Sequence, residues 1–229
     1  MMIRYSRSGG HRPPRDREIL AIEDDGSFSM WRSIGSAVQP PSPVGRFAGQ
    51  LDSQTLEKLI AAVNAVTREG DLVIKPKPGS AVVNIETDQV KARMGIHDEP
   101  DNSWSELAEL LHGLLGELTE NPLAAITLDV SEDGASARLV HLGKLPLLLD
   151  LKQLNVRAVL WEGHMKVGDW SNSGTATGEL DPISADVNWE MDLPFNHNFE
   201  ADDDQNIVAY VTFSISNDNR FIPVKLTSI

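Results

Sequence analysis

The sequence predicts an α+β N-terminal part, an antiparallel sheet with two helices in ββαββα order, followed by an all-β part of sandwich- or barrel-like kind. Three observations lead there. Both stretches with a helical apolar period lie before residue 121. Short alternating runs occur along the whole chain, two of their junctions marked by Asp25-Gly26 and Asp133-Gly134, and such turns favour tight hairpins. No 3.6-residue period survives beyond Asn121-Pro122, where a proline ends the last helical stretch. The expected domains are therefore residues 1–121 and 122–229.

In order along the chain, Ile3 and Tyr5 share one face of a first short strand over Met2–Arg7, and Ser8-Gly9-Gly10-His11-Arg12-Pro13-Pro14-Arg15 reads as a loop rich in turn formers. Glu18–Glu23 and Ser27–Arg32 flank Asp24-Asp25-Gly26 as a hairpin, and Val44–Gln50 is a further short strand. The first helix begins at Asp52, a good N-cap, carries Leu56, Leu59, Ile60, Val63 and Val66 at 3–4 spacing, and ends at Gly70. Ala81–Glu86 and Gln89–Gly95 make another hairpin. Ser103 with Glu106 forms a capping box for the second helix, whose leucine face runs from Leu107 to Leu118. Leu123–Ser131, Ala135–Leu142, Leu145–Leu149, Val156–Gly163, Gly174–Glu179, Ala185–Glu190, Ile207–Ser216 and Phe221–Thr227 come next as strands.

The 229 residues carry a net charge of −14, distributed unevenly. Residues 1–50 hold seven Arg against five acids, residues 51–150 eight basic against 17 acidic groups, and residues 151–229 five against 12. An arginine-bearing start on an acidic body repels phosphate overall, so no nucleic acid is expected as a partner. The chain contains no cysteine, which excludes disulfides, thiolate catalysis and thiolate metal sites. Residues 1–10 lack an apolar core of the signal-peptide kind and no apolar run reaches membrane-spanning length. The expected location is cytoplasmic, with no membrane partner.

Ile3-Arg4-Tyr5-Ser6-Arg7-Ser8-Gly9-Gly10, a strand closing on an Arg-Ser-Gly-Gly motif, together with the strand, strand, helix, strand, strand, helix order, resembles the emfourin family. Its small members include inhibitors of protealysin- and thermolysin-type metalloproteases, and the resemblance implies a sheet backed by two helices and a metalloprotease as partner. It covers residues 1–120; His11-Arg12-Pro13-Pro14 stand where members usually carry an aromatic-glycine step. Read from the residues alone, the paired glycines allow close backbone approach, Pro13-Pro14 stiffen the segment after them, and Arg7, Arg12, Arg15 and Arg17 offer planar donors to carboxylates. The candidate binding loop is therefore Arg7, Ser8, Gly9, Gly10, His11 and Arg12, suited to an acidic protein surface. The competing reading pairs these arginines with the protein's own acids.

None of the six histidines forms an H-x-H, H-E-x-x-H or H-x-x-x-H pair, and no nucleophile elbow or phosphate-binding loop is present, so no catalytic residue, metal site or cofactor is expected. His197, between Phe195 and Phe199 and ahead of Asp202-Asp203-Asp204, is the centre of the alternative reading, a hydrolase using converging carboxylates in the β-rich half. Acid pairs considered for it are Asp186 with Glu190 and Glu162 with Asp169. The five tryptophans, Trp31, Trp104, Trp161, Trp170 and Trp189, are expected to fill cores. The leading expectation is a non-enzymatic protein-binding module; a third is an oligomer-forming structural subunit.

Overall fold

A computed structural model describes residues 2–9, 16–36, 42–95, 102–131, 134–172, 182–202, 204–218 and 220–228. In chain order its elements are β1 (Ile3–Gly9), β2 (Asp16–Ile22), β3 (Ser27–Arg32), β4 (Ile34–Ser36), β5 (Val44–Gln50), α1 (Ser53–Glu69), β6 (Leu72–Val73), β7 (Ala81–Thr87), β8 (Lys91–Gly95), α2 (Ser103–Leu118), β9 (Pro122–Val130), β10 (Ala137–Gly143), β11 (Leu147–Glu162), β12 (Met165–Asn172), β13 (Ile183–Ala185), β14 (Glu190–Asp192), β15 (Gln205–Asn217) and β16 (Arg220–Thr227). The protein is thus mostly β, with both described helices before residue 121. The chain divides into two compact units: Met1–Arg32 with Arg46–Asn121, and Ser33–Gly45 with Pro122–Ile229.

In the first unit the strands run in the order β5-β3-β2-β1-β7-β8-β6. Strands β2, β1, β7 and β8 pair antiparallel with their neighbours, and β6 pairs parallel with β8. Cross-strand register sorts the two faces, because directly opposed residues share one. Ile3, Ile22 and Phe28 form one buried row and Tyr5, Leu20, Met30, Ile85 and Ala92 the next. The intervening residues Arg4, Ile19, Ser29, Glu86 and Lys91 are exposed. Both helices bring apolar faces to this unit: Leu59, Val63 and Val66 of α1, and Trp104, Leu107, Leu111, Leu114, Leu115 and Leu118 of α2 are buried.

Local chemistry sets the helix ends. Asp52 accepts from the Thr55 amide at 3.0 Å, and the Thr55 hydroxyl, with that amide, holds the Asp52 carboxyl below its ordinary range. Gly70 ends α1 at φ +82°. The second helix departs from the expected capping box: Asn102, one residue earlier than Ser103, accepts from the amides of Trp104 and Ser105. Ser103 is released to donate through its hydroxyl to the Glu69 carboxylate at the end of α1, and Trp104 Nε1 donates to Gly70 O at 3.0 Å. The start of one helix is therefore bonded to the end of the other.

In the second unit β9, β10 and β14 pair in that order, and a second sheet runs β12-β11-β15-β16-β4, with β13 paired to the start of β11. β4 joins β16 in parallel, Ile34 opposite Lys225. Leu145–Leu149 and Val156–Gly163, expected as separate strands, lie largely within the continuous 16-residue β11. The register breaks between Asp150 and Asn155, opposite Ser214 and Thr212, so four residues of β11 face one of β15. At this bulge Leu151 and Leu154 turn inward and Lys152 and Gln153 outward, with the Lys152 amide donating to Asp150 at 3.0 Å.

Ala185–Glu190, expected as one strand, is interrupted by a turn in which Trp189 N donates to Asp186 O at 3.0 Å and Asn188 adopts φ +65°; Asn tolerates this left-handed conformation better than most residues. β12 is an addition, reached by a turn at Gly163-His164, since Glu162 pairs with Met165. The expected strand over Gly174–Glu179 lies outside the described residues.

Gly143, at φ +112°, lets β10 approach β9 closely: a Cβ there would stand 2.6 Å from Leu123 O and 2.7 Å from its carbonyl carbon. Gly143→Ala is expected to lower stability by about 2 kcal/mol or more, through backbone overlap and a disfavoured φ together. Urea titration of the variant against the wild type measures it.

Candidate functional site

The base of the β1–β2 hairpin concentrates the charge chemistry of the first unit. Arg7, Glu18 and Arg32 are directly opposed on β1, β2 and β3. The row continues the buried face, one step beyond Tyr5, Leu20 and Met30. Period-2 alternation dictates this: Glu18 stands two residues before Leu20 and four before Ile22, all three pointing inward. Glu18 is only 4% exposed, and an isolated carboxylate buried so deeply would be strongly disfavoured. Two guanidiniums compensate it. Arg7 Nη1 donates to Glu18 Oε2 at 3.3 Å, and Arg32 Nη2 lies 3.0 Å from Oε1.

Tyr5 lies beside this cluster. Burial, reinforced by the negative Glu18 and partly offset by Arg7, pushes its phenol up to about 12. The phenol is therefore neutral across the physiological range.

The candidate loop residues divide into two groups. Arg7, expected at the end of the first strand, and Ser8 and Gly9, expected in the loop, all belong to β1, with Arg7 opposite Glu18 and Val83, Ser8 opposite Asp16 and Val82, and Gly9 opposite Ala81. A bulge between Arg7 and Ser8 shifts the pairing with β2. At φ +110°, Gly9 brings the backbone so near β7 that a Cβ would meet Ser80 O at 3.2 Å. Gly10, His11 and Arg12 lie outside the described residues, as does Arg15. The loop thus departs from a strand end fixed on both sides, and Arg7 faces its own Glu18.

In the second unit His197 is engaged at both ring nitrogens. Nε2 lies 2.7 Å from Gly134 O, and Phe199 N donates to Nδ1 at 3.2 Å. Since Nδ1 accepts, Nε2 carries the proton and donates. The ring sits edge-on to Phe195 at 4.8 Å and stacked on Phe199 at 5.3 Å, with Trp170 edge-on to Phe195 at 6.0 Å.

Three of the four carboxylates paired in the hydrolase reading, Asp169, Glu190 and Asp186, have cationic or hydroxyl partners. Asp169 accepts from Arg157 Nε and Nη2 at 2.8 and 2.7 Å and from Lys166 Nζ at 2.7 Å; those bonds, Arg157's first, hold its carboxyl far below the usual carboxylate range. Arg138 bridges Asp129 and Glu190 at 2.7 and 3.0 Å, and Asp186 accepts from Ser184 at 2.9 Å. Among the described residues no group of three or more His, Asp or Glu side chains is arranged to hold a metal ion, and no described helix is long and apolar enough to cross a membrane.

Sequence reading misses Glu18 and His141 as buried polar groups. His141 is 4% exposed on β10, its Nε2 is 3.0 Å from Leu145 O, and burial lowers its pKa, partly countered by that carbonyl. The signal is available in both cases: Ala137, Leu139 and His141 alternate inward just as Glu18, Leu20 and Ile22 do.

Removing the Glu18 charge leaves two crowded guanidiniums. Glu18→Gln is expected to cost about 3 kcal/mol, the scale for breaking a buried pair from one side, read from the denaturant midpoint. Tyr5 adds an alkaline limit. Its folded pKa lies above the unfolded value of about 10, so its contribution is complete below pH 10 and is lost as pH rises toward 12. The expected loss is about 2 to 3 kcal/mol. Tyr5→Phe should flatten stability over that window, and its phenolate absorbance should then report Tyr210 alone. No protein-family model, curated protein or solved structure matches this chain.

Proposed function

We propose that the protein is a non-enzymatic protein-binding module whose contact element is the loop joining β1 to β2, with a thermolysin-type metalloprotease as its partner. On this reading β1 and β2, α1, β7 and β8, and α2 are the ββαββα frame of an emfourin-like domain, with β3, β5 and β6 as additions to its sheet and the β-rich unit as a sandwich-like appendage. The setting is the cytoplasm.

The observation that carries the reading is the construction of the hairpin base. The Arg7–Glu18–Arg32 row fixes the strands from which the loop leaves, and the close approach of Gly9 to Ser80 and Ala81 fixes β1 against β7. Strand ends held this way fix where the loop begins and ends, and fixed anchor points are one route by which preorganisation raises affinity. Gly10-His11-Arg12-Pro13-Pro14-Arg15 then offers a proline-stiffened segment with two arginines. Those donors suit carboxylates on a partner surface.

Incubation of the full chain with a thermolysin-type protease tests this. Residual peptidase activity should fall in a saturable way as the protein is added, and Arg12→Ala should weaken the effect by about tenfold, the loss of one charge-assisted bond. Undiminished cleavage at large molar excess would remove the inhibitor reading.

A further inference from the structure

Counted as charges, the Arg7–Glu18–Arg32 row is incomplete. Among the described side chains two guanidiniums surround one carboxylate, and each reaches it through a single nitrogen, so neither forms the two-pronged contact that arginine and carboxylate geometry allows. Arg7 Nε, Arg32 Nε and Arg32 Nη1 are closed off from water and have no hydrogen-bond partner among the described residues. Buried donors of native proteins are overwhelmingly partnered, by protein, water or an ion, and a buried cationic donor is especially costly to leave alone. The side chains of Arg7 and Arg32 retain 21% and 15% exposure at other atoms, so the guanidiniums border solvent, and a ligand gains the three closed donors only as these side chains turn outward.

We propose that this cluster is a receptor for a second carboxylate, which would bond the remaining arginine donors and bring two cations and two anions into balance. Charge counting favours a monovalent, planar oxyanion over a divalent phosphate, which would overshoot neutrality. The receptor is formed by β1, β2 and β3 and is independent of any partner of the β1–β2 loop, so it stands or falls separately from protease binding. The carboxylate can come from a small organic acid or from an acidic side chain of a peptide.

Arginine Nε–H signals in nuclear magnetic resonance spectra read the site directly. Titration of the full chain with sodium acetate, with a blocked glycine-aspartate-glycine peptide, with sodium phosphate and with sodium chloride at matched ionic strength compares the sources. The Arg7 and Arg32 signals should shift saturably with acetate or with the peptide, the tighter of the two naming the source, and weakly with phosphate and chloride. Glu18→Gln removes the competing negative charge and should tighten acetate binding by about tenfold, whereas Arg32→Gln should abolish the saturable response. If Arg32→Gln does not fold, the wild type and Glu18→Gln decide between themselves. Shifts that track ionic strength alone, phosphate binding as tight as acetate, or acetate binding unchanged in Glu18→Gln would each overturn the proposal.

Discussion

A carboxylate on the apolar side of a sheet has to be neutralised where it stands, and Glu18 meets this requirement by recruiting an arginine from each neighbouring strand. Much of the first unit's sheet is bound up with that arrangement. The row prevents a one-residue slip of β1 or β3 against β2, because a slip would turn an arginine to the other face and strand the buried charge. The apolar rows beneath it, Tyr5 with Leu20 and Met30, then Ile3 with Ile22 and Phe28, are held to the same register. A purely apolar core would stabilise as much or more. The ionic row adds a geometric condition that apolar contacts, being non-directional, do not impose.

The two helices are tied together by a different device. Trp104 is among the largest fully buried side chains, and its indole N–H reaches the carbonyl of Gly70 where α1 ends. A bulky ring therefore fills the core while its one polar atom satisfies a carbonyl that a helix terminus leaves open. With the Ser103–Glu69 contact beside it, the helix pair is braced at one end by polar bonds. In the second unit the polar groups of His197 are likewise consumed internally, with a ring nitrogen bonded to the carbonyl of the β9–β10 turn.

The elements legible in the sequence are those whose signal is local. Asp52, Gly70 and the leucine spacing mark the helices, and Asp25-Gly26 marks the first hairpin, where Asp25 accepts from Ser27 N and Gly26 sits at φ +81°. β12 is hidden because Met165, Lys166 and Val167 are all exposed, which leaves no alternation to read. β4 is hidden because its three residues form a strand only through pairing with β16. At the candidate site the arginines read as outward donors because composition gives charge but not direction. The alternation of Glu18 with Leu20 and Ile22 carries that direction, and it places Arg7 inward as soon as β1 is aligned with β2.

The parallel pairing of β4 with β16 bears on how the protein is made. Ile34, Gly35 and Ser36 are synthesised 191 residues before their pairing partners Lys225, Leu226 and Thr227. The segments of the first unit are complete once Asn121 has been synthesised, so that unit can close while β4 still waits with open backbone groups. Such an unpaired edge invites wrong partners during the delay. The brevity of β4, three residues with a glycine at the centre, limits how much of an edge is offered in the meantime.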